Sequence, residues 1–288
     1  MMTMILRRFL DLPGRQIHYR VRGQEGGVPL LAFHALPGSA RQLEPLMRAI
    51  GGRSVIAPDL AGLGDSDARP GECTIPGFAE DMCALLEEIA LPEVDLYGTH
   101  TGAAVALELA IMMPDRVRRI VLDGVPLFEG ADIDVLADRY APAIEPDHNG
   151  GHLLQAHNFC RDMLLFWPWF DKSAAASRGG GLPDARTLHD WVLEVVKGLD
   201  AMPGAYRAAF RYDAAARLPL VRQPTLCIAA AADTLDQASR RAANLLPAGE
   251  LIKVEGVSNG MAPPEAVAVA ACRFLDRQPA ITAPRTPS

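Results

Sequence analysis

The chain has 288 residues, of which 49% are hydrophobic and 22% are charged, and it carries a formal net charge of −7. A chain of this length buries one large core, or a core with an inserted domain. The acidic balance gives no reason to expect nucleic acid or an anionic membrane as a partner, and no apolar run approaches the ~18 residues of a membrane span. We therefore expect a globular protein with neither partner.

The start of the chain and its cysteines bear on the cellular compartment. Residues 1–10 contain two arginines but no apolar segment of the kind found in a signal peptide. The five cysteines are odd in number and form no Cys-x-x-Cys pair, which is typical of reduced thiols. We expect a cytoplasmic protein, with thiols at Cys73, Cys83, Cys160, Cys227 and Cys272.

Strand and helix patterns alternate through the first part of the chain. Alternating residues flank a Pro-Gly turn between Arg8 and Arg22, which predicts a hairpin. Short continuous apolar runs then predict strands that are covered on both faces, each followed by a helical pattern. This alternation favours a parallel sheet with right-handed crossovers. The predicted elements are strands over Leu30–Phe33 and Ser54–Ala57, and helices over Ala40–Ile50 and Pro76–Ala90.

A tight turn between the next strand and the next helix is the most informative stretch. Val94–Tyr97 predicts the strand, Ala104–Ala110 predicts the helix, and Gly-Thr-His-Thr-Gly over residues 98–102 joins them. Gly-x-X-x-Gly in this context describes a nucleophile elbow, because small flanking residues let the chain turn and push the central side chain out at the end of the strand. The central residue here is His100.

The alternation is interrupted after one more strand, which Val117–Leu122 predicts. Residues 127–218 carry helical patterns, an aromatic patch and a Gly-rich joint, without a strand signal. Residues 278–288 are rich in Pro and Thr, which is typical of a disordered tail. We interpret residues 1–126 and 219–277 as the core and residues 127–218 as an inserted helical cap. The later predicted elements are strands over Thr225–Ala229 and Glu250–Val254, and helices over Asp236–Leu246 and Pro264–Asp276.

The order and spacing of several motifs resemble the α/β-hydrolase fold superfamily over residues 5–277. The run His34-Ala35-Leu36-Pro37-Gly38 is similar to the family's His-Gly oxyanion loop, with Ala35 where Gly is usual, and Asp59-x-x-Gly62-x-Gly64-x-Ser66 is similar to the loop after the following strand. The elbow comes next in the chain. The resemblance implies an α/β fold with a mostly parallel central sheet flanked by helices, and a helical cap over one pocket.

The resemblance also implies roles for single residues. The backbone N–H groups of Leu36 and Thr101 take the positions of the oxyanion hole. Asp123 and Asp233 take the two positions at which the family carries its acid. The family's usual base is a His in the loop after the last strand, but here that loop holds Ser258, and the last His of the chain is His189.

His100 and Ser258 thus stand exchanged relative to the family's triad, which leaves several hypotheses for His100. In the first hypothesis, His100 acts as a general base, since its ordinary pKa suits neutral pH. In the second, it acts as a nucleophile that forms an acyl-imidazole. In the third, it accepts the proton of Ser258, and in the fourth, it belongs to a site that has lost its activity. We favour the general base, because this role needs no second residue in a precise place.

Three more residues are candidates for substrate binding. His34 either supports the oxyanion loop from below or donates a hydrogen bond to the substrate. His152 lies on a helical face that forms either a polar roof over the pocket or a solvated surface. Trp167 either packs the cap or lines the pocket. No ligand spacing of the His-x-x-x-His type supports a metal at His34 and His100.

The sequence therefore predicts an enzyme that acts on a small-molecule substrate and needs no cofactor. Hydrolysis of a small, apolar ester, lactone or activated C–C bond is the reaction that the resemblance implies, although a fold does not fix a function. The alternatives are a lyase, isomerase or oxygenase in which His100 only moves protons, and a ligand-binding protein without turnover. Assembly into a homodimer is left open.

Overall fold

One eight-stranded sheet runs through the centre of the computed structural model, which describes residues 4–24, 26–130, 132–231, 233–255 and 262–278. The strand order is β1-β2-β4-β3-β5-β6-β7-β8. The β1–β2 and β2–β4 pairs are antiparallel, and the other pairs are parallel. The predicted mostly parallel sheet is therefore confirmed. The strands are β1 Leu6–Leu12, β2 Arg15–Arg22, β3 Leu30–Phe33, β4 Val55–Pro58, β5 Val94–Thr99, β6 Val117–Asp123, β7 Thr225–Ala230 and β8 Gly249–Val254.

The central strands are those with continuous apolar runs. Every residue of β3, β4 and β7 is buried, as expected for strands that are covered on both faces. β1 and β8 form the two edges, and most of their residues are exposed or half-buried. Because parallel neighbours end at the same edge of the sheet, β3, β5, β6 and β7 deliver their following loops to one place.

Helices cover both faces of this sheet. Apolar residues of α1 and α10 pack on one face, and those of α2, α3 and α9 pack on the other, where the cap adds to the same core. The helices are α1 Glu44–Ala49, α2 Ile75–Glu88, α3 Thr101–Met112, α4 Asp132–Arg139, α5 Gly151–Leu165, α6 Ala185–Lys197, α7 Met202–Phe210, α8 Ala214–Arg217, α9 Asp236–Leu245 and α10 Pro264–Leu275.

The helix predicted over residues 40–50 is divided in two. A 3₁₀ turn covers Ala40–Leu43, and α1 begins at Glu44. Pro45 lies in the first turn of α1, where its missing N–H costs no hydrogen bond, whereas deeper in a continuous helix it would break one. The apolar spacing was thus interpreted correctly as helical, but the break at the proline was missed.

The helices α4 to α8 occupy the stretch between β6 and β7 for which the cap is predicted. Tyr140, which follows α4, is 2% exposed and lies at the centre of an aromatic cluster in this stretch. Its ring centroid lies 5.2 Å from that of Trp167, 5.0 Å from that of Tyr206 and 5.1 Å from that of Phe210. Aromatic contacts therefore join the strand-free segment after α5 to α7.

Within the described residues, no helix combines the length and the apolar character that crossing a bilayer requires. The five cysteines all carry free thiols. Residues 279–288, which make up nearly all of the predicted tail, lie outside the described residues.

Candidate active site

The turn between β5 and α3 holds His100 in a strained backbone conformation. Its φ is 50° and its ψ is −115°, a region that non-glycine residues rarely adopt. A Cβ atom on Gly98 would lie 2.2 Å from the carbonyl oxygen of Gly102, and one on Gly102 would lie 2.3 Å from the carbonyl oxygen of Phe33. Only glycine fits at either position, so the turn has the elbow geometry that the sequence predicts.

The imidazole of His100 is paired with a carboxylate from the loop after β7. Its Nε2 atom lies 2.9 Å from Oδ2 of Asp233. Asp233 is held in turn by the N–H of Leu235, which donates to its Oδ1 atom at 2.8 Å. The side chain of His100 is 31% exposed and that of Asp233 is 5% exposed. The imidazole ring of the pair thus faces the pocket, whereas the carboxylate is shielded from solvent.

The pKa values of the two groups move in opposite directions. Burial acts to lower the pKa of His100, but the charge of Asp233 and its hydrogen bond outweigh burial and raise this pKa above its ordinary value of 6.5. Burial acts to raise the pKa of Asp233, but His100 and the N–H of Leu235 bring it below its ordinary value. Asp233 is therefore ionised at neutral pH and stabilises the imidazolium form of His100.

The second candidate acid makes a different contact. The hydroxyl of Tyr97 donates a hydrogen bond to Oδ2 of Asp123 at 2.8 Å. Burial raises the pKa of the Asp123 carboxyl to about 6, against the opposing effects of Tyr97 and His100. Of the two carboxylates, Asp233 is the one bonded to the imidazole, while Asp123 acts on it only through its charge.

The two residues of the predicted oxyanion hole both line the pocket beside His100. Leu36 comes from the loop after β3, and Thr101 is the first residue of α3. The N–H at the start of a helix has no partner within the helix, so it is available to an anion. The structure thus brings both predicted residues to the same pocket as His100.

The loop that carries Leu36 is fastened to the cap. The indole N–H of Trp191 on α6 donates to the carbonyl oxygen of Pro37 at 2.9 Å. The hydroxyl of Ser39 donates to Oε2 of Glu194, also on α6, at 2.7 Å. Glu194 is 5% exposed, so this second contact is shielded from water. Helix α6 therefore fixes the position of the oxyanion loop.

The pocket above the elbow is small. Its volume is about 90 Å³, well below the roughly 300–1,000 Å³ of typical ligand sites. A larger cavity of about 660 Å³ lies between α2, α3 and α7, but its described walls include no residue of the elbow or of the oxyanion loop. The described residues that line the smaller pocket are Leu36, His100, Thr101, Pro126, Phe128, Tyr140, Met163, Trp167, Arg178, Tyr206, Ala209, Phe210, Thr234 and Leu235.

The remaining predicted residues are placed as follows. Trp167 lines the pocket. His34 is fully buried, its Nε2 accepts a hydrogen bond from the N–H of Leu60 at 3.0 Å, and it is not among the described lining residues. His152 lies at the start of α5 and exchanges hydrogen bonds with Asp147, away from the described walls of the pocket. Ser258 lies outside the described residues.

A group of potential metal ligands lies elsewhere, between β2 and the loop after β4. Ligand atoms of His18, Asp59 and Asp65 lie within 4.8 Å of one another. The carboxylate of Asp59 accepts hydrogen bonds from the N–H groups of Ala40 and Asp65, at 2.7 and 2.9 Å, and lies 2.8 Å from Nδ1 of His18. Lys197 pairs with Asp65 at 3.0 Å. These contacts show that the three residues stabilise the conformation of the loop after β4.

Gly124 makes room for the His100–Asp233 pair. A Cβ atom at Gly124 would lie 2.6 Å from Cδ2 and 2.8 Å from Nε2 of His100, and 3.0 Å from Oδ2 of Asp233. We expect Gly124→Ala to push the imidazole off the carboxylate and to lower kcat/KM by about tenfold or more. Since φ is +75°, the added Cβ also costs about 1–2 kcal/mol of stability.

The matched control for this substitution is Gly130→Ala. Gly130 has a similar φ of +86°, but a Cβ there meets no atom of the described residues within 4 Å. It should lower the melting temperature by a comparable amount and leave kcat/KM unchanged. Equal losses of activity in the two variants would show that backbone strain, and not the contact with His100, is responsible.

Comparison with known proteins agrees with this fold. A sequence model of the alpha/beta hydrolase fold family matches residues 28–257. The chain belongs to this family. Among solved structures, a hydrolase from Pseudomonas aeruginosa PA01 is similar with a TM-score of 0.72 and 22% identity, over 94% of this chain and 98% of that one.

Curated relatives of the family match only part of the chain. A 2-hydroxymuconate semialdehyde hydrolase from Pseudomonas sp. (strain CF600) is 38% identical over 28% of this chain and 30% of its own length. A 2-(acetamidomethylene)succinate hydrolase from Mesorhizobium japonicum (strain LMG 29417 / CECT 9101 / MAFF 303099) is 31% identical over 43% of this chain and 45% of its own length. The matches thus span less than half of these relatives.

Proposed function

We propose that the protein is a hydrolase that works without a cofactor and uses His100 as its general base. The observation that carries the proposal is the hydrogen bond between His100 Nε2 and Asp233 at the elbow, next to Leu36 and Thr101. Several relatives in the family are named hydrolases, which supports the same reaction class. The substrate class is a small ester, lactone or activated C–C bond.

The tautomer of His100 follows from its partner. Asp233 is ionised and can only accept a hydrogen bond, so Nε2 of the neutral ring carries the hydrogen. Nδ1 is then the unprotonated nitrogen, and it takes a proton from water. Asp233 stabilises the imidazolium that forms, as the acid of a triad does.

The remaining steps balance on residues of this chain. For an ester, hydroxide formed at Nδ1 attacks the carbonyl carbon, and the negative charge moves to the carbonyl oxygen. The N–H groups of Leu36 and Thr101 stabilise that oxyanion. The C–O bond then breaks as Nδ1 returns its proton to the leaving alkoxide. Most of the described walls are aromatic or apolar, and surroundings of low dielectric constant strengthen each of these electrostatic interactions.

A panel of short chromogenic esters and lactones tests the proposal. We expect turnover to be greater for short acyl groups than for long ones, since the described cavity is only about 90 Å³. Product formation should incorporate one oxygen from ¹⁸O-labelled water. Folded protein that turns over no member of the panel, at any pH from 5 to 9, would contradict hydrolysis and favour a proton-transfer enzyme or a binding protein.

A further inference from the structure

A tyrosine inside the central sheet is bonded to the carboxylate that the proposed chemistry leaves without a direct role. Tyr97 lies on β5 and is 3% exposed, and its hydroxyl donates to Oδ2 of Asp123 at 2.8 Å. Burial, together with the charge of Asp123, raises the pKa of Tyr97 well above its ordinary value of 10, so the hydroxyl keeps its proton. Asp123 thus has a hydrogen-bond donor throughout the pH range of the assay.

The register of two neighbouring strands brings these side chains together. Across β5 and β6, Tyr97 is paired with Val121 and Thr99 is paired with Asp123. Side chains two residues apart on a strand point to the same face of the sheet, and so do the side chains of paired residues. Tyr97 and Asp123 therefore share one face, and the long side chain of the tyrosine spans the step between them.

Asp123 also lies beside the imidazole of His100. The backbone N–H of His100 donates to the carbonyl oxygen of Asp123 at 3.0 Å, so the two backbones are in contact. A Cβ atom on the next residue, Gly124, would lie 2.8 Å from Nε2 of His100, the nitrogen that Asp233 binds. The chain at residues 123 and 124 thus passes the nitrogen for which a second carboxylate would compete.

The charges of these groups act on one another. After the larger effects of burial and of Asp233, the charge of Asp123 also acts on the pKa of His100, which it raises, while Arg178 acts to lower it. Burial raises the pKa of Asp123 to about 6, whereas Tyr97 and His100 act to lower it and the charge of Asp233 acts to raise it. An ionised Asp123 that reached the ring would gain a charge-assisted hydrogen bond.

We propose that Tyr97 is a positioning residue that holds Asp123 away from Nε2 of His100, so that Asp233 binds the ring and Asp123 is kept as a reserve acid. The proposal rests on the proposed function, in which an ionised acid supports His100, and it adds the residue that decides which acid does so. Removal of the hydroxyl takes a hydrogen bond from a shielded carboxylate, which is costly unless another donor replaces it. Once Asp233 is replaced, the N–H at Nε2 is a donor in the same part of the site.

The test combines two near-isosteric substitutions. Asp233→Asn removes the present acid, and Tyr97→Phe removes only the hydroxyl and keeps the ring. We expect the double variant to recover about tenfold or more of the kcat/KM that Asp233→Asn loses, because Asp123 then supports His100. Tyr97→Phe in the wild-type background should bring no gain, since Asp233 already occupies Nε2. Tyr97→Met, which also lacks a donor, replaces Tyr97→Phe if the first pair does not fold.

A second readout needs no substrate. The pKa of the His100 imidazole is measured by NMR titration in each variant, with His100→Ala to assign the signal. Asp233→Asn should lower this pKa, because burial then acts with less opposition. The double variant should raise it again as the charge of Asp123 reaches the ring, and the acidic limb of the pH profile should move to higher pH with it. A merely structural role of Tyr97 predicts no such recovery.

Two controls locate the effect. Adding Asp123→Asn to the double variant should abolish both the regained activity and the raised pKa, since it removes the reserve acid. Tyr212→Phe in the Asp233→Asn background removes the same kind of contact elsewhere, because the hydroxyl of Tyr212 donates at 2.9 Å to Oε1 of Glu108, which is 1% exposed on α3. This control should restore neither the activity nor the pKa.

Three results would overturn the proposal. The first is a folded double variant in which the pKa of His100 is no higher than in Asp233→Asn. The second is a recovery that persists after Asp123→Asn is added. The third is a recovered pKa without any gain in kcat/KM when the wild type is active, because Asp123 would then bind the ring without serving as its acid.

Failure of hydrolysis is a separate result. If folded wild type turns over no ester or lactone, the titration alone decides the role of Tyr97. A pKa of His100 that falls in Asp233→Asn and returns in the double variant would then support the positioning role and contradict the proposed function.

Discussion

Replacement of His100 by alanine is expected to lower kcat/KM by about 10²- to 10⁴-fold, the usual contribution of a general base. The loss should appear in kcat, because His100 acts on the proton in the transition state and contributes little to holding the substrate. The measurement is a comparison of wild type and His100→Ala on the best substrate of the ester and lactone panel. A variant that keeps full turnover would contradict the assignment of His100.

Two controls sharpen this experiment. His189→Ala removes an exposed His of α6 outside the pocket and should leave kcat/KM unchanged. Turnover mixtures quenched with acid should show no acyl mass on His100 if it acts as a base, whereas the nucleophile hypothesis requires such an adduct. Alanine still has a Cβ atom, so His100→Ala keeps most of the backbone strain at this position. Its melting temperature should therefore stay close to that of wild type.

Asp233→Asn is expected to produce the second-largest loss, about 10²-fold or more in kcat/KM, because the amide leaves the imidazole without its charged partner and favours the wrong tautomer. The amide oxygen can still accept the N–H of Leu235, so the loop should keep its conformation. The measurement is kcat/KM from pH 5 to 9 for wild type and variant.

The pH dependence of activity should shift in a definite direction in the Asp233→Asn variant. A general base works when it is deprotonated, so activity should rise with pH through the pKa of His100, which lies above 6.5 in wild type. Without the charge of Asp233, burial acts with less opposition and lowers this pKa, so the acidic limb should move to lower pH. An unmoved limb would mean that Asp233 does not support His100.

Asp123→Asn is the matched substitution on the neighbouring strand. Its side chain is bonded to Tyr97 and not to the imidazole, so we expect a smaller loss of activity and a smaller shift of the acidic limb. A loss as large as that of Asp233→Asn would assign the supporting role to both carboxylates.

The features that could be predicted from the sequence are those decided by local patterns. The buried runs of β3 and β7 were identified because a strand covered on both faces has no polar alternation to obscure it. The elbow was identified because Gly98 and Gly102 are required by backbone contacts only a few residues away or on the adjacent strand. Residues 40–50 are mostly helical, as predicted, but the structure divides them next to Pro45 into a 3₁₀ turn and α1.

The pairing of His100 could not be decided in the same way. β6 and β7 are parallel neighbours, Asp123 is the last residue of β6 and Asp233 follows the carboxyl end of β7, so the sequence places both near the elbow. Which carboxylate pairs with His100 depends on the hydroxyl of Tyr97, which bonds to Asp123. Tyr97 lies inside β5 and belongs to no motif that would indicate this contact. Arg178 was missed for a related reason, since its place in the pocket depends on how an irregular segment of the cap folds back onto α5.

The contacts of α6 make the geometry at Leu36 depend on two distant parts of the chain. Pro37 and Ser39, which follow Leu36 in the loop after β3, are bonded to Trp191 and Glu194 of α6. A displacement of α6 relative to the sheet would break both hydrogen bonds. Substitutions that shift α6 are therefore expected to alter the site through this loop, without touching the substrate.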